Sequence, residues 1–225
     1  MRIGNLLKNS LIDWEGKLTA VIFTKGCNFR CGFCHNPSLV IPELLNQTED
    51  FPESRIFCFL KDRGSWLDGV VITGGEPTIY TDLPDFIVRI RQLGFRIKLD
   101  TNGTNPLMLR KLIEDDLIDF VAMDIKTIVK MEDYQRITSC NDPELTEKIE
   151  KSIGILRSSN IQYQFRTTII PRSHDKDVIA QLEARFKNDH YTLQHYREGK
   201  TIDDFNCLKL NHAGAAGKYQ KYFKT

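Results

Sequence analysis

No stretch of the 225-residue chain approaches the roughly 18 apolar residues that a membrane span requires. The start, Met1-Arg2-Ile3-Gly4-Asn5, lacks the long apolar run of a secretory leader. The expectation is a cytoplasmic protein with no membrane partner. Charge of one sign is also missing: 31 Lys and Arg stand against 30 Asp and Glu, a balance of +1, so no global field draws the chain to nucleic acid. Internal repeats, low-complexity tracts and Pro/Gly/Ser-rich linkers are absent, which excludes repeat arrays and a tethered second module. One domain is expected over 1–225, with its core at about 18–200 and a short, basic, solvated tail from about 211.

What remains is the composition of a globular protein, 41% hydrophobic and 27% charged, long enough to bury roughly 70–75% of its unfolded surface without disulfide staples. Six apolar, β-branched runs have strand length: 18–24, 69–73, 96–100, 119–125, 162–170 and 190–196. Between them, 53–62, 83–93, 107–114, 144–158 and 176–186 carry helical spacing. Gly94 is placed to stop the second of these and Asp142-Pro143 to start the fourth. This alternation predicts an α/β fold with a mainly parallel sheet and right-handed crossovers. Six units are too few for an eight-fold barrel, so an open, partial (β/α)6 barrel is expected. Ligands of such sheets bind beyond the carboxyl ends of the strands, and here those ends are polar and glycine-rich.

Six cysteines stand at 27, 31, 34, 58, 140 and 207. The first three lie in Lys25-Gly26-Cys27-Asn28-Phe29-Arg30-Cys31-Gly32-Phe33-Cys34-His35-Asn36-Pro37, a C-x3-C-x2-C loop after the first predicted strand. Without a secretory signal, such a cluster reports a metal or redox site more often than a disulfide framework. Three thiolates on one loop can hold three corners of a cuboidal iron–sulfur cluster, and the fourth iron then stays open to a small molecule. Four-coordinate zinc would need a fourth ligand, and no second cysteine pair supplies it. A Cys3His zinc site through His35 or a remote histidine is the alternative. Cys58, Cys140 and Cys207 lack paired spacing and are expected to be small structural hydrophobes, leaving a single cluster.

The C-x3-C-x-aromatic-C loop, with Phe33 at the aromatic place, resembles the radical S-adenosylmethionine (radical SAM) superfamily. The resemblance implies a [4Fe-4S] cluster on Cys27, Cys31 and Cys34 whose free iron binds the amino and carboxylate groups of SAM. An electron from the reduced cluster breaks the S–C5′ bond, giving methionine and a 5′-deoxyadenosyl radical that abstracts hydrogen.

Further motifs stand at the strand ends. Thr73-Gly74-Gly75-Glu76-Pro77 offers two glycines that let backbone approach a ligand, and a carboxylate that can pair with an ammonium. In the family this motif contacts the SAM amino group, which singles out Gly74, Gly75 and Glu76. Asp100-Thr101-Asn102-Gly103 and Met123-Asp124-Ile125-Lys126 resemble the smaller class of glycyl radical enzyme activating enzymes. That likeness assigns Asp100, Thr101, Asp124 and Lys126 to the SAM ribose and carboxylate, with the two Asp residues helping to bind a monovalent cation. Arg166 interrupts a strand-like run, and its fork would suit the SAM carboxylate or ribose; His195 is a secondary candidate for adenine or the sulfonium side.

Ser10-Leu11-Ile12-Asp13-Trp14-Glu15-Gly16-Lys17, read with the cysteine loop, is similar to anaerobic ribonucleoside-triphosphate reductase and pyruvate formate-lyase activating proteins. The likeness runs over about 3–200, with Trp14-Glu15 departing from an aromatic followed by Pro. It implies hydrogen abstraction from a glycine of a partner glycyl radical enzyme, in a laterally open barrel, with flavodoxin or ferredoxin as electron donor. Two other readings stay open: a radical SAM enzyme on a small molecule, of the 7-carboxy-7-deazaguanine synthase type, and a non-enzymatic iron or zinc protein.

Overall fold

The computed structural model describes residues 1–204 except Ser65 and Arg172, so Cys207 and the basic tail lie outside the described residues. Seven strands form one sheet in sequence order: β1 (Ile3–Ser10), β2 (Thr19–Thr24), β3 (Gly69–Gly74), β4 (Arg96–Thr101), β5 (Phe120–Asp124), β6 (Gln162–Ile169) and β7 (Tyr191–His195). Every neighbouring pair from β2 to β7 is parallel. This is the expected open (β/α)6 arrangement, with β1 added antiparallel against β2. β1 escapes a reading by apolar runs because Asn5, Lys8 and Asn9 interrupt it and only Ile3, Leu6 and Ser10 are buried.

Helices α1 (Pro37–Val40), α2 (Pro42–Leu45), α3 (Glu53–Arg63), α4 (Leu83–Arg91), α5 (Pro106–Glu114), α6 (Met131–Thr138), α7 (Leu145–Ser158) and α8 (Lys176–Phe186) fill the crossovers. Alternation along the strands separates two faces. Ala20 and Ile22, Val70 and Ile72, Ile97 and Leu99, Val121 and Met123 pack with helix residues such as Ile56, Ile87, Leu112 and Ile153 in the main core. Leu83, Phe86, Ile87 and Ile90 show why α4 forms: their spacing puts one apolar stripe against the sheet. Each such fully buried side chain contributes about 1.5–3 kcal/mol. Asn105 caps α5 through Oδ1, which accepts from Met108 N at 3.1 Å, and Gly94 follows α4 at φ +89°. α7 begins two residues after the expected Pro143, since Asp142 and Glu144 form a lead-in turn.

The other sheet face carries a second, small apolar cluster of Trp14, Val21 and Val71 with Phe23 and Phe120. Beyond it, towards the carboxyl ends, the same face turns polar with Lys98, Asp100 and Asp124, and register sets Asp124 beside Arg166. The chemistry therefore lies above an apolar floor.

Candidate active site

The cysteine loop leaves β2 through Lys25, whose side chain is buried and whose Nζ donates to Thr48 O (2.6 Å), Glu49 O (3.0 Å) and Asp50 Oδ1 (2.8 Å). Arg30 folds back so that one Nη donates to Cys27 O (2.5 Å) and Phe29 O (2.7 Å), while Arg30 N donates to Thr138 O at the end of α6 (2.7 Å). Asn28 joins the loop to the end of β4, donating to Thr104 Oγ1 and accepting from Asn102 Nδ2, both at 2.8 Å. On the far side, Ile202 N donates to Cys34 O (3.2 Å) and Asp203 N to Gly32 O (2.9 Å). Three separate segments thus hold the loop.

Cys27, Cys31 and Cys34 line one cleft of about 240 Å³ together with Phe33, Gly74, Gly75, Glu76, Asp100, Thr101, Asp124 and Lys126. Sequence candidates from four strand ends, those of β2 to β5, therefore meet in one place, while Arg166 on β6 is not part of this lining. Burial pushes the Cys27 thiol up to about 12, with the Glu76 charge adding to it, and burial carries Cys31 up to about 11 against the pull of Lys126, with Cys34 and Asp124 adding to it. Coordination to a metal reverses that balance by deprotonating a thiol outright. Among the described residues no three His, Cys, Asp or Glu side chains gather around a single metal ion, as a zinc site would need. His35, the zinc alternative's fourth ligand, is engaged elsewhere: its ring stacks on Tyr196 at 5.3 Å and its Nε2 lies 2.7 Å from Arg197 O. Cys140 is buried as expected, but Cys58 is exposed on α3, so the expectation of a core thiol fails there; its neighbours Ile56 and Leu60 take the buried face.

The glycines, which line the cleft, also serve a contact that was not expected. A Cβ on Gly75 would fall on the carbonyl of Gly26, and one on Gly74, at φ +121°, on the backbone of Thr24. Their bareness admits the base of the cysteine loop, which is tied there by Gly75 N to Thr24 O (2.9 Å) and Glu76 N to Gly26 O (2.8 Å). Gly75→Ala is accordingly expected to cost about 2–3 kcal/mol, because the atoms in the way are backbone. Iron retained per chain after reconstitution should fall with it; full retention would show that the loop base can move.

Glu76 is also more occupied than expected. Its carboxylate is 1% exposed. Oε1 accepts from Thr78 N (3.0 Å), Thr78 Oγ1 (2.6 Å) and Thr101 Oγ1 (2.7 Å), and Oε2 accepts from Asn102 N (2.7 Å). Burial nevertheless raises its pKa against the pull of these hydrogen bonds. Asp124 goes the other way: burial opposes its ionisation, yet Arg166 and Lys126 hold it down to about 2. Lys126 Nζ lies 3.1 Å from Asp124 Oδ2 and 5.9 Å from the centre of the Phe33 ring. Asp100 Oδ1 is buried without a hydrogen bond among the described residues. His195 is exposed at the end of β7 and stands outside the cleft lining. Thr168, Asn102 and Asn36 line it as well; each falls inside a run or motif already marked in the sequence, but none was singled out as a site residue.

The profile of the Radical SAM superfamily matches residues 21–183. The chain is 32% identical, over 98% of its length and 92% of the relative's, to a candidate glycyl-radical enzyme activating enzyme of Methanocaldococcus jannaschii. This chain belongs to the radical SAM superfamily. As a radical SAM enzyme it is also similar to GTP 3′,8-cyclase of Aquifex aeolicus, 26% identical over 86% of this chain and 61% of that one. A 7-carboxy-7-deazaguanine synthase of Methanopyrus kandleri is 30% identical over 51% and 53%. In fold it matches Streptococcus suis SuiB solved with S-adenosylmethionine, with TM-score 0.58 and 18% identity over 86% of this chain and 47% of that one. Membership of the superfamily implies a [4Fe-4S] cluster and SAM. No helix among the described residues is long and apolar enough to cross a membrane.

Proposed function

We propose that this radical SAM enzyme activates a glycyl radical enzyme by removing an α-hydrogen from a glycine on a loop of that partner. The donor set fits the implied cluster: three thiols share one cleft wall, and the described lining holds no fourth cysteine. Cys27, Cys31 and Cys34 would hold three irons. Lys126 would meet the SAM carboxylate, and Asp100 Oδ1, which has no hydrogen bond among the described residues, would accept from the ribose, with Thr101 beside it. When bound, the reduced cluster supplies the electron that divides SAM into methionine and a 5′-deoxyadenosyl group, which leaves as 5′-deoxyadenosine carrying the glycine hydrogen.

The carrying observation is the ground in front of the cleft. Phe33 lines both the cysteine cleft and a wider depression of about 440 Å³ bordered by Arg30, Gly32, Glu43, Arg136, Ser173 and Asp203. A chain segment can lie in such a space and bring one residue to the Phe33 edge. The near full-length likeness to a candidate activating enzyme supports the same reading. A donor of the flavodoxin or ferredoxin class would supply the electron. The likeness to GTP 3′,8-cyclase and 7-carboxy-7-deazaguanine synthase favours a second reading, an enzyme acting on a small molecule, although at most 61% of either chain is matched.

The test mixes the reconstituted protein anaerobically with SAM, reductant and a glycyl radical enzyme encoded beside it. A doublet in electron paramagnetic resonance is expected. Formation of 5′-deoxyadenosine with no doublet would turn the assignment towards a small molecule.

A further inference from the structure

Two carboxylates and three cations share the mouth of the sheet. On β6, the fork of Arg166 places Nε and Nη2 each 2.9 Å from Asp124 Oδ1, and Nη1 lies 3.4 Å from Asp100 Oδ2. Lys126 Nζ pairs with the other Asp124 oxygen at 3.1 Å. Lys98 Nζ, buried one step below, stands 3.4 Å from Asp100 Oδ1 and donates to Asp13 O. Strand register makes this arrangement: Asp124 is level with Arg166, and Asp100 is level with Ala122, one side-chain step lower on the same face. A guanidinium at the end of β6 therefore spans both carboxylates diagonally, and its planar fork lets one group reach both.

The resemblance to activating enzymes implies a monovalent cation on these two Asp residues, and the residues present do not fit one. The space between the carboxylates holds a guanidinium, and an added metal ion would meet three resident positive charges around two negative ones. The oxygen left without a hydrogen bond, Asp100 Oδ1, already has an ammonium beside it, so a neutral donor such as a hydroxyl suits it better than another cation. We infer that Arg166 is a positioning residue that takes the place of the monovalent cation in this chain, so that SAM is held without Na⁺ or K⁺. The inference rests on SAM as the cofactor and is independent of the partner's identity.

The test compares the reconstituted protein in tetramethylammonium, Na⁺ and K⁺ chloride at matched ionic strength, with SAM affinity read by calorimetry and 5′-deoxyadenosine formation read without any partner. Affinity and cleavage are expected to agree within about twofold across the three salts, and the melting temperature of the cluster-free chain should not respond to K⁺. Arg166→Gln opens the space, so SAM affinity should fall about tenfold in tetramethylammonium and recover at least partly in K⁺. Arg166→Lys keeps a charge there and should stay indifferent to the salt, which keeps the test decisive if the Gln variant does not fold. A tenfold stimulation of the unaltered protein by K⁺ or Na⁺ would overturn the inference, as would an equal loss in both salts for Arg166→Gln. Because no partner is present, neither outcome bears on the activase reading.

Discussion

Replacing Cys27, Cys31 or Cys34 singly with alanine is expected to leave a folded protein that neither keeps its iron nor cleaves SAM. Cys31 sits at the edge of the main core with Cys27 and Cys34 packed against it, but each is a small side chain, and the loop is held by backbone groups at Thr138, Ile202 and Asp203 and by Asn28. Far-ultraviolet circular dichroism should therefore be unchanged, while iron falls from roughly four per chain and 5′-deoxyadenosine formation falls by about a thousandfold or more. Cys58→Ala, on the exposed side of α3, should behave like the unaltered protein in both assays. If any one of the three variants retained full iron and cleavage, the cluster would have another ligand and the reading of the cleft would be wrong.

The second large effect is expected at Glu76, and it is one of stability. Truncation to alanine leaves Thr78, Thr101 and Asn102 donors buried with no acceptor. A loss of about 3 kcal/mol follows, large for one substitution but of the size expected when a buried hydrogen-bond network is emptied. In a chain of this length it corresponds to about 6–12 °C in melting temperature. Glu76→Gln keeps the volume, yet its amide nitrogen would face the donating Asn102 N, so about half of that loss is expected. Measuring the cluster-free protein separates the two roles. A strut shows its full cost there, whereas a pure ligand to SAM would leave the melting temperature untouched.

The sheet was readable because its six parallel strands are short apolar runs, three of them, β3 to β5, closed by glycine or acidic motifs, and the cofactor loop because cysteine spacing has few other uses. What escaped the reading depends on tertiary context. β1 offers only Ile3, Leu6 and Ser10 to the interior. α6 is eight residues of mixed polarity, yet its Tyr134 is buried and accepts from Lys126 N, and its carboxyl end accepts from Arg30 N. The 201–203 segment follows the last strand and carries no motif, although Ile202 packs beside Cys27 and Cys34. Gly74 and Gly75 were singled out for approach to a ligand, and their packing on Thr24 and Gly26 was not legible, since a bare Cα records close approach without saying what approaches. Arg166 was legible as an anomaly, whereas its diagonal reach to Asp100 depends on strand register.

A loop braced from three sides ties the thiols to distant parts of the chain: Thr138 at the end of α6, Asn102 and Thr104 after β4, and residues 202 and 203. Disturbing any of these anchors shifts the thiols relative to one another, so replacements well away from the cysteines are able to weaken iron retention.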